Sequence, residues 1–184
     1  MPPKYFLKST RLGFRNWKTS DIPKMFTINA DPEVMAFFPS LPTIQETENF
    51  VKRMQIQFTQ KGYCYFAVDC LDEQNFIGFI GFIGISDQNY PADFTPCIDI
   101  GWRLAKETWN KGFATEGAKR CLEFAFTELG LEKINAIAPQ INVKSEQVMK
   151  KIGMNKVKTF EHPLLRDNER LKTCVLYEIK NLEK

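Results

Sequence analysis

Trp109-Asn110-Lys111-Gly112-Phe113-Ala114-Thr115 is the stretch on which the fold turns. Cys97–Leu104 before it reads as a strand. After it Ala118, Cys121 or Leu122, Ala125 and Leu129 share one helical face, and Gly130 supplies a C-cap. A small-residue turn between strand and helix aims several backbone N–H groups at one spot, and the positive end of the helix dipole adds to it. Such a spot receives a phosphate or pyrophosphate. Gly112 lets the main chain approach a ligand, and Ala114 keeps the first helical turn thin. A tight turn that binds nothing fits the same residues, so the surroundings decide.

Upstream, residues 11–17 alternate, with Leu12 and Phe14 on one side, and read as a first strand. Thr19-Ser20-Asp21 offers helix caps ahead of Ile22, Met25 and Phe26. Thr43 and Glu46 form a capping box, followed by the stripe Phe50, Val51, Met54 and Phe58 of a second helix ending near Gly62. Residues 32–42 between them form a loop rich in Phe and Pro. Residues 63–71 and 76–86 are strands around the turn 72–75, a hairpin signal. Gly78, Gly81 and Gly84 recur every third residue, which predicts close backbone packing or a bulge.

Downstream, Lys133–Pro139 is a strand. Asn142 caps a short helix with Val148, Met149 and Ile152 inward, stopped by Gly153. Residues 156–161 and 171–179 close the chain as a hairpin. The order β, α, α, β, β, β, α, β, α, β, β describes one mixed α/β domain over residues 1–184.

Composition narrows the function. A chain of 184 residues with 16 Phe and 13% aromatics buries a substantial core. Its 25 basic and 22 acidic residues are interspersed, for a net charge of +3, so no nucleic-acid surface is expected. The five cysteines lie scattered in apolar runs and His162 is the sole histidine, so no metal site is expected. Met1-Pro2-Pro3-Lys4 lacks the apolar core of a signal peptide, and the apolar run 76–85 is too short to span a bilayer. A reduced, cytoplasmic protein with no membrane contact follows. Without GxxxxGK[ST], a P-loop nucleotide binder is disfavoured.

Four pieces, Ser9 to Trp17, Ile98 through Gly117, Asn142-Val143-Lys144-Ser145 with Lys151-Ile152-Gly153-Met154, and Phe160-Glu161-His162-Pro163 with Val175-Leu176-Tyr177, resemble one family. It is the GCN5-related N-acetyltransferase (GNAT) superfamily, with closer likeness to its RimJ/RimL-like branch, which acetylates ribosomal-protein N-termini. The resemblance implies a central, mostly antiparallel twisted sheet of about seven strands flanked by about four helices. It implies acetyl-CoA as co-substrate and an amine acceptor, either a protein N-terminus or a small amine. A homodimer is compatible with it. Trp109 stands where the superfamily often has Gln or Arg, and Ala114 where it often has glycine. Met149 occupies the place of the tyrosine that many members use as general acid, and Cys174 a place where relatives often have histidine.

On this resemblance the pyrophosphate sits on the N–H groups of Asn110, Lys111, Gly112, Phe113, Ala114 and Thr115, flanked by Trp109 and by Asn142. The pantetheine arm pairs like an added strand with the edge of Trp102, Arg103 and Leu104. Asp99 is the candidate base and Ser145 the candidate donor to the leaving thiolate, with an oxyanion donor expected at the N–H of Ile100 or Gly101. Ser145 is equally a first-turn residue, Asn142 a cap, and Asp99 a paired strand carboxylate. His162, before a proline, fits a structural or substrate-contact role. Residues 87–96 and 35–42, with Phe37, Phe38, Tyr90 and Phe94, fit an acceptor wall or plain packing. Two alternatives stay open: a small-molecule acetyltransferase acting on a polyamine, an aminoglycoside-like compound or a free amino acid, and a non-catalytic acyl-CoA-binding module.

Overall fold

Apolar alternation and helix caps resolve, in the computed structural model, into eight strands and four α-helices among the described residues, 4–181. The strands are β1 (Leu7–Lys8), β2 (Leu12–Arg15), β3 (Tyr65–Cys70), β4 (Asn75–Ile85), β5 (Cys97–Leu104), β6 (Lys133–Pro139), β7 (Asn155–Glu161) and β8 (Thr173–Lys180). The helices are α1 (Ile22–Ala30), α2 (Ile44–Lys61), α3 (Phe113–Thr127) and α4 (Val143–Lys151). The reading of Met1-Pro2-Pro3 lies outside the described residues.

One sheet holds every strand, in the order β1-β2-β3-β4-β5-β6-β8-β7. All neighbours run antiparallel except β5 and β6, which are parallel. The expected seven strands become eight because Leu7–Lys8 pairs with β2 through Leu7↔Phe14 and Lys8↔Gly13. Two residues are too few to show a period, so pairing alone defines that strand.

Helices cover both faces. On one, Phe14, Phe66, Ile80, Phe82 and Ile100 meet α3, where Phe124 stacks on Phe82 at 6.4 Å. On the other, Trp17 packs edge-on against Phe50 of α2 at 5.4 Å and Phe76 at 5.6 Å, and Tyr65 stacks on Phe79 at 4.9 Å. Each such aromatic pair adds about 0.5–1.5 kcal/mol beyond area burial. The Thr43 capping box forms as expected, with Glu46 N–H donating to Thr43 Oγ1 (3.2 Å) and Thr43 N–H to Glu46 Oε2 (2.7 Å). The glycine triplet also reads correctly at two positions. A Cβ would lie 2.2 Å from the Arg103 carbonyl at Gly78 and 2.1 Å from that of Cys64 at Gly81, and the register slips between Val68 and Asp69 alongside.

Arg15 holds the β2–β3 half together. Its guanidinium donates to Asp21 Oδ2 (2.7 Å) and Oδ1 (2.9 Å), and to Asp69 Oδ2 (3.0 Å) and Oδ1 (2.8 Å). All three side chains are buried.

The sheet opens at β5. Its whole length pairs with β4, from Ile85↔Cys97 to Gly78↔Leu104, yet its register with β6 is the single pair Asp99↔Asn135. Past that pair the strands part, leaving a fork that widens toward Leu104 and Pro139.

Candidate active site

The turn after β5 forms the cradle that its residues suggest. Asn110 and Gly112 adopt φ of 59° and 81°, the left-handed region, and Gly112 is the N-cap of α3. The chain thereby turns its amides outward: among the described residues no acceptor takes the N–H groups of residues 110–115. Glu116 N–H resumes the helical pattern by donating to the Gly112 carbonyl at 3.0 Å. Six unmatched donors beside a helix N-terminus are a geometry that suits an anion.

Arg11 flanks the cradle, a residue that sequence reasoning passed over. Its Nη1 donates to the Lys111 carbonyl (3.0 Å), its Nε to Glu116 Oε2 (2.7 Å), and its guanidinium lies 4.6 Å from the Phe113 ring centre. Glu116 also accepts from Ser9 Oγ (2.7 Å) and Arg11 N–H (2.8 Å), which clamps the β1–β2 turn to α3. Burial raises the Glu116 pKa, but the bonds from Ser9 and Arg11 outweigh it and hold the group below its ordinary value.

Trp109 ties the cradle to the fork. Its indole N–H donates to the Leu104 carbonyl at 2.9 Å, and Lys144 at the start of α4 lies 4.6 Å over its ring. The Leu104 carbonyl, on the expected ligand edge, already accepts this bond. Ala105 N–H donates to the Ile77 carbonyl at 2.9 Å. Antiparallel alternation then points the main-chain groups of Asp99, Gly101 and Arg103 at β4 and those of Ile100, Trp102 and Leu104 at the fork. Gly101 N–H is thus turned away from the fork, and Ile100 lies at the pairing with β6. The first open N–H in the fork belongs to Trp102, one residue beyond the expected pair of donors. Arg103 can offer a ligand its side chain, not its strand edge.

A cleft of about 360 Å³ lies at the wide end of the fork, lined by Phe37, Trp109, Ile141, Val143 and Lys144 among others. A larger recess of about 570 Å³, between Pro39 and residues 164–170, shares no residue with cradle or fork. The smaller cleft is the relevant one because Trp109 adjoins the cradle and Lys144 lies over the Trp109 ring.

Asp99 sits at the branch point itself. Its Oδ1 accepts from Ile137 N–H of β6 at 3.2 Å, bridging the strands where main-chain pairing stops. Its Oδ2 accepts from the Tyr65 hydroxyl at 2.8 Å. Tyr65 fits because Gly101 has no side chain: a Cβ there would lie 3.0 Å from the Tyr65 hydroxyl oxygen. Burial pushes the Asp99 carboxyl up to about 7, and the bonds from Tyr65 and Ile137 only partly oppose it. Burial, with Asp99 next, pushes the Tyr65 phenol well above its usual value. Beside Asp99, Asn135 is buried with both amide atoms unmatched among the described residues. Sequence spacing gave no sign of Tyr65, which lies 34 positions away from Asp99.

Asn142 is a cap, its Oδ1 accepting from Ser145 N–H at 3.1 Å. The Ser145 hydroxyl, half-buried in the first turn of α4, makes no hydrogen bond among the described residues. Helix α4 packs with α3, whereas Asp99 lies on the face of Tyr65 and α1, so the sheet separates the two catalytic candidates. Met149 is buried core. His162 N–H donates to the Lys172 carbonyl (2.7 Å), its Nδ1 accepts from Leu164 N–H (3.2 Å), and its ring lies 4.7 Å from that of Tyr90. These bonds make it a structural residue of the β7–β8 turn. Phe94 packs on Phe160 at 5.0 Å, so the 87–96 loop is fastened to β7. Among the described residues no helix is long and apolar enough to cross a membrane.

This arrangement has known counterparts. The profile of the acetyltransferase (GNAT) domain matches residues 11–155. YnaD of Bacillus subtilis (strain 168), named as an uncharacterized N-acetyltransferase, is 30% identical over 164 residues, spanning 89% of this chain and 90% of that protein. A GNAT-family acetyltransferase from Bacillus anthracis superposes with a TM-score of 0.79 at 27% identity, over 95% of this chain and 97% of the other. RimL, a ribosomal L7/L12 α-N-protein acetyltransferase solved with coenzyme A, shares the fold with a TM-score of 0.74 at 15% identity, over 94% and 95% of the two chains. The cradle, the forked sheet and these likenesses agree that the chain belongs to the GNAT acetyltransferase family.

Proposed function

We propose that this acetyltransferase takes acetyl-CoA as donor and passes the acetyl group to a primary amine, with Asp99 as base. The six unmatched N–H groups of residues 110–115, set beside a strand edge that faces an open fork, carry this reading. The cradle suits a pyrophosphate, and Gly112 holds the left-handed φ of 81° that turns the amides outward. Trp102 and the Leu104 N–H offer the fork side of β5 to an extended amide-bearing arm. Asn142 adds its place at the α4 N-terminus, its side chain being taken up by the cap.

The chain's own groups then divide the work. Asp99, poised near neutrality, takes the proton that the acceptor ammonium must lose before its nitrogen attacks the thioester carbonyl. Tyr65 fixes which way that carboxylate points. Trp102 N–H meets the charge that develops on the acyl oxygen, and one such donor is worth about 3 kcal/mol in a water-excluded site. Ser145 donates to the departing sulfur from the opposite side of the sheet. The acceptor we infer is a protein N-terminus or a small amine.

Two measurements test this. Acetyl-CoA raises the melting temperature, and Gly112→Glu, whose carboxylate enters the cradle, removes the shift. An unchanged melting temperature at millimolar acetyl-CoA overturns the reading. In thiol release with an amine panel, Ser145→Ala lowers turnover more than cofactor affinity; equal turnover removes Ser145 from the mechanism.

A further inference from the structure

We infer that Arg103 receives a carboxylate carried by the acceptor, so that the chain selects amines bearing an acid group. This rests on the transfer reading above and names the acceptor class for it. The carboxylate belongs either to a free amino acid or to an acidic residue behind a protein N-terminus.

Arg103 is set up as a receptor with one edge used. Its Nη1 donates to Asn29 Oδ1 at 2.7 Å, and Asn29 Nδ2 is fixed in turn by Thr47 Oγ1 at 3.1 Å. Its Nε is buried with no partner, and its Nη2 makes no hydrogen bond among the described residues. Nε and Nη2 form the edge of a guanidinium that grips a carboxylate through two parallel bonds. No carboxylate of the described residues pairs with it. The rings of Phe38 and Phe79, 4.1 Å and 5.4 Å from Arg103 Cζ, hold the group in position. They favour the cation but offer its N–H groups no acceptor.

Position assigns the ligand. Arg103 shares the sheet face of Asp99 and Tyr65, and it adjoins Trp102, whose N–H the transfer reading gives to the acyl oxygen. An acid group a few bonds from the attacking nitrogen therefore falls within its reach. The cofactor's phosphates belong farther along, on the cradle at residues 110–115.

The test compares matched acceptors by thiol release: phenylalanine against phenethylamine, and a Ser-Asp-Ala-Ala amide peptide against its Ser-Asn-Ala-Ala counterpart. The wild type prefers the acidic member of one pair by about tenfold or more, through KM, and that pair identifies the source of the carboxylate. Arg103→Met erases the preference without altering the shift that acetyl-CoA produces, and Arg103→Lys restores part of it. Equal or reversed preference in the wild type overturns the inference. So does an Arg103→Met protein that loses acetyl-CoA binding, because Arg103 would then serve the cofactor. Release only with amines that lack an acid group defeats the carboxylate site and leaves the transferase standing. No release from any acceptor while acetyl-CoA still binds also overturns it, and loss of that binding defeats both readings.

Discussion

Arg15, buried, and Arg103, half-buried, lie against the same face of one sheet, and the protein treats them oppositely. Arg15 is met by two aspartates through four hydrogen bonds. Burial works against its cation, and the bonds and charges of Asp21 and Asp69 outweigh it, so its pKa rises above the ordinary arginine value. Arg103 has one amide oxygen and two aromatic rings, and burial draws its pKa down to about 10. Asp99 belongs with Arg103, its pKa displaced to about 7 by the same cause. Arg15 has carboxylates of the chain as partners, whereas Arg103 and Asp99 beside the fork have no partner of opposite charge among the described residues. Perturbed, underpaired groups cluster where ligands supply the missing partner.

The largest test is to remove the satisfied centre. Arg15→Met strands two buried carboxylates and costs about 3–5 kcal/mol, read as a fall in denaturation midpoint. A loss under about 1 kcal/mol would erase the contrast with Arg103.

The next test sharpens it at Asp99. Asp99→Asn lowers kcat/KM by about 10²–10⁴ if the carboxylate is the base. The wild-type rate falls below pH of about 7 as Asp99 takes up its proton, and the variant loses that limb. Stability moves the other way. Between the ordinary value of 3.8 and about 7 the folded wild type retains a proton that the unfolded chain releases, so its stability declines across that window. Asp99→Asn escapes this decline, and its melting temperature relative to wild type climbs from pH 4 to 7. A flat difference would mean that Asp99 is not held protonated by burial.

Asn142→Ala removes the α4 cap and costs about 1 kcal/mol in thermal unfolding. A loss of acetyl-CoA binding larger than this stability change would give its side chain a second duty. The smallest effect belongs to Arg103→Met, whose unfolding free energy stays within about 1 kcal/mol of wild type because few bonds are lost and a buried charge is relieved. A loss equal to that of Arg15→Met would make the two arginines alike and the comparison empty.

Local signals carried much of the fold. The Thr43 box, the Asn142 cap and the left-handed Gly112 turn each depend on residues within a few positions, so composition and spacing expose them. The cradle was legible for the same reason, since a helix N-terminus after a small-residue turn leaves its donors unmatched wherever it occurs. Legibility ended where partners are remote. Arg11 joins Glu116 across 105 positions, and Tyr65 reaches Asp99 across 34. The short strand β1 exists through its pairing with β2. The donor proposed for the acyl oxygen is Trp102 rather than Ile100 or Gly101 because hydrogen-bond direction follows register, which neighbouring side chains do not encode.

Taken alone, the order of residues determined an alternating α/β chain, its caps, and a turn at Gly112 that leaves backbone amides unmatched, because short-range backbone preferences fix these. Tertiary structure decided that β5 and β6 part beyond Asp99, that the Asp99 carboxylate bridges the parting strands, and that Arg103 keeps an open edge while Arg15 has none. Burial and partner geometry set the energy of a charge, and both arise when distant segments pack together.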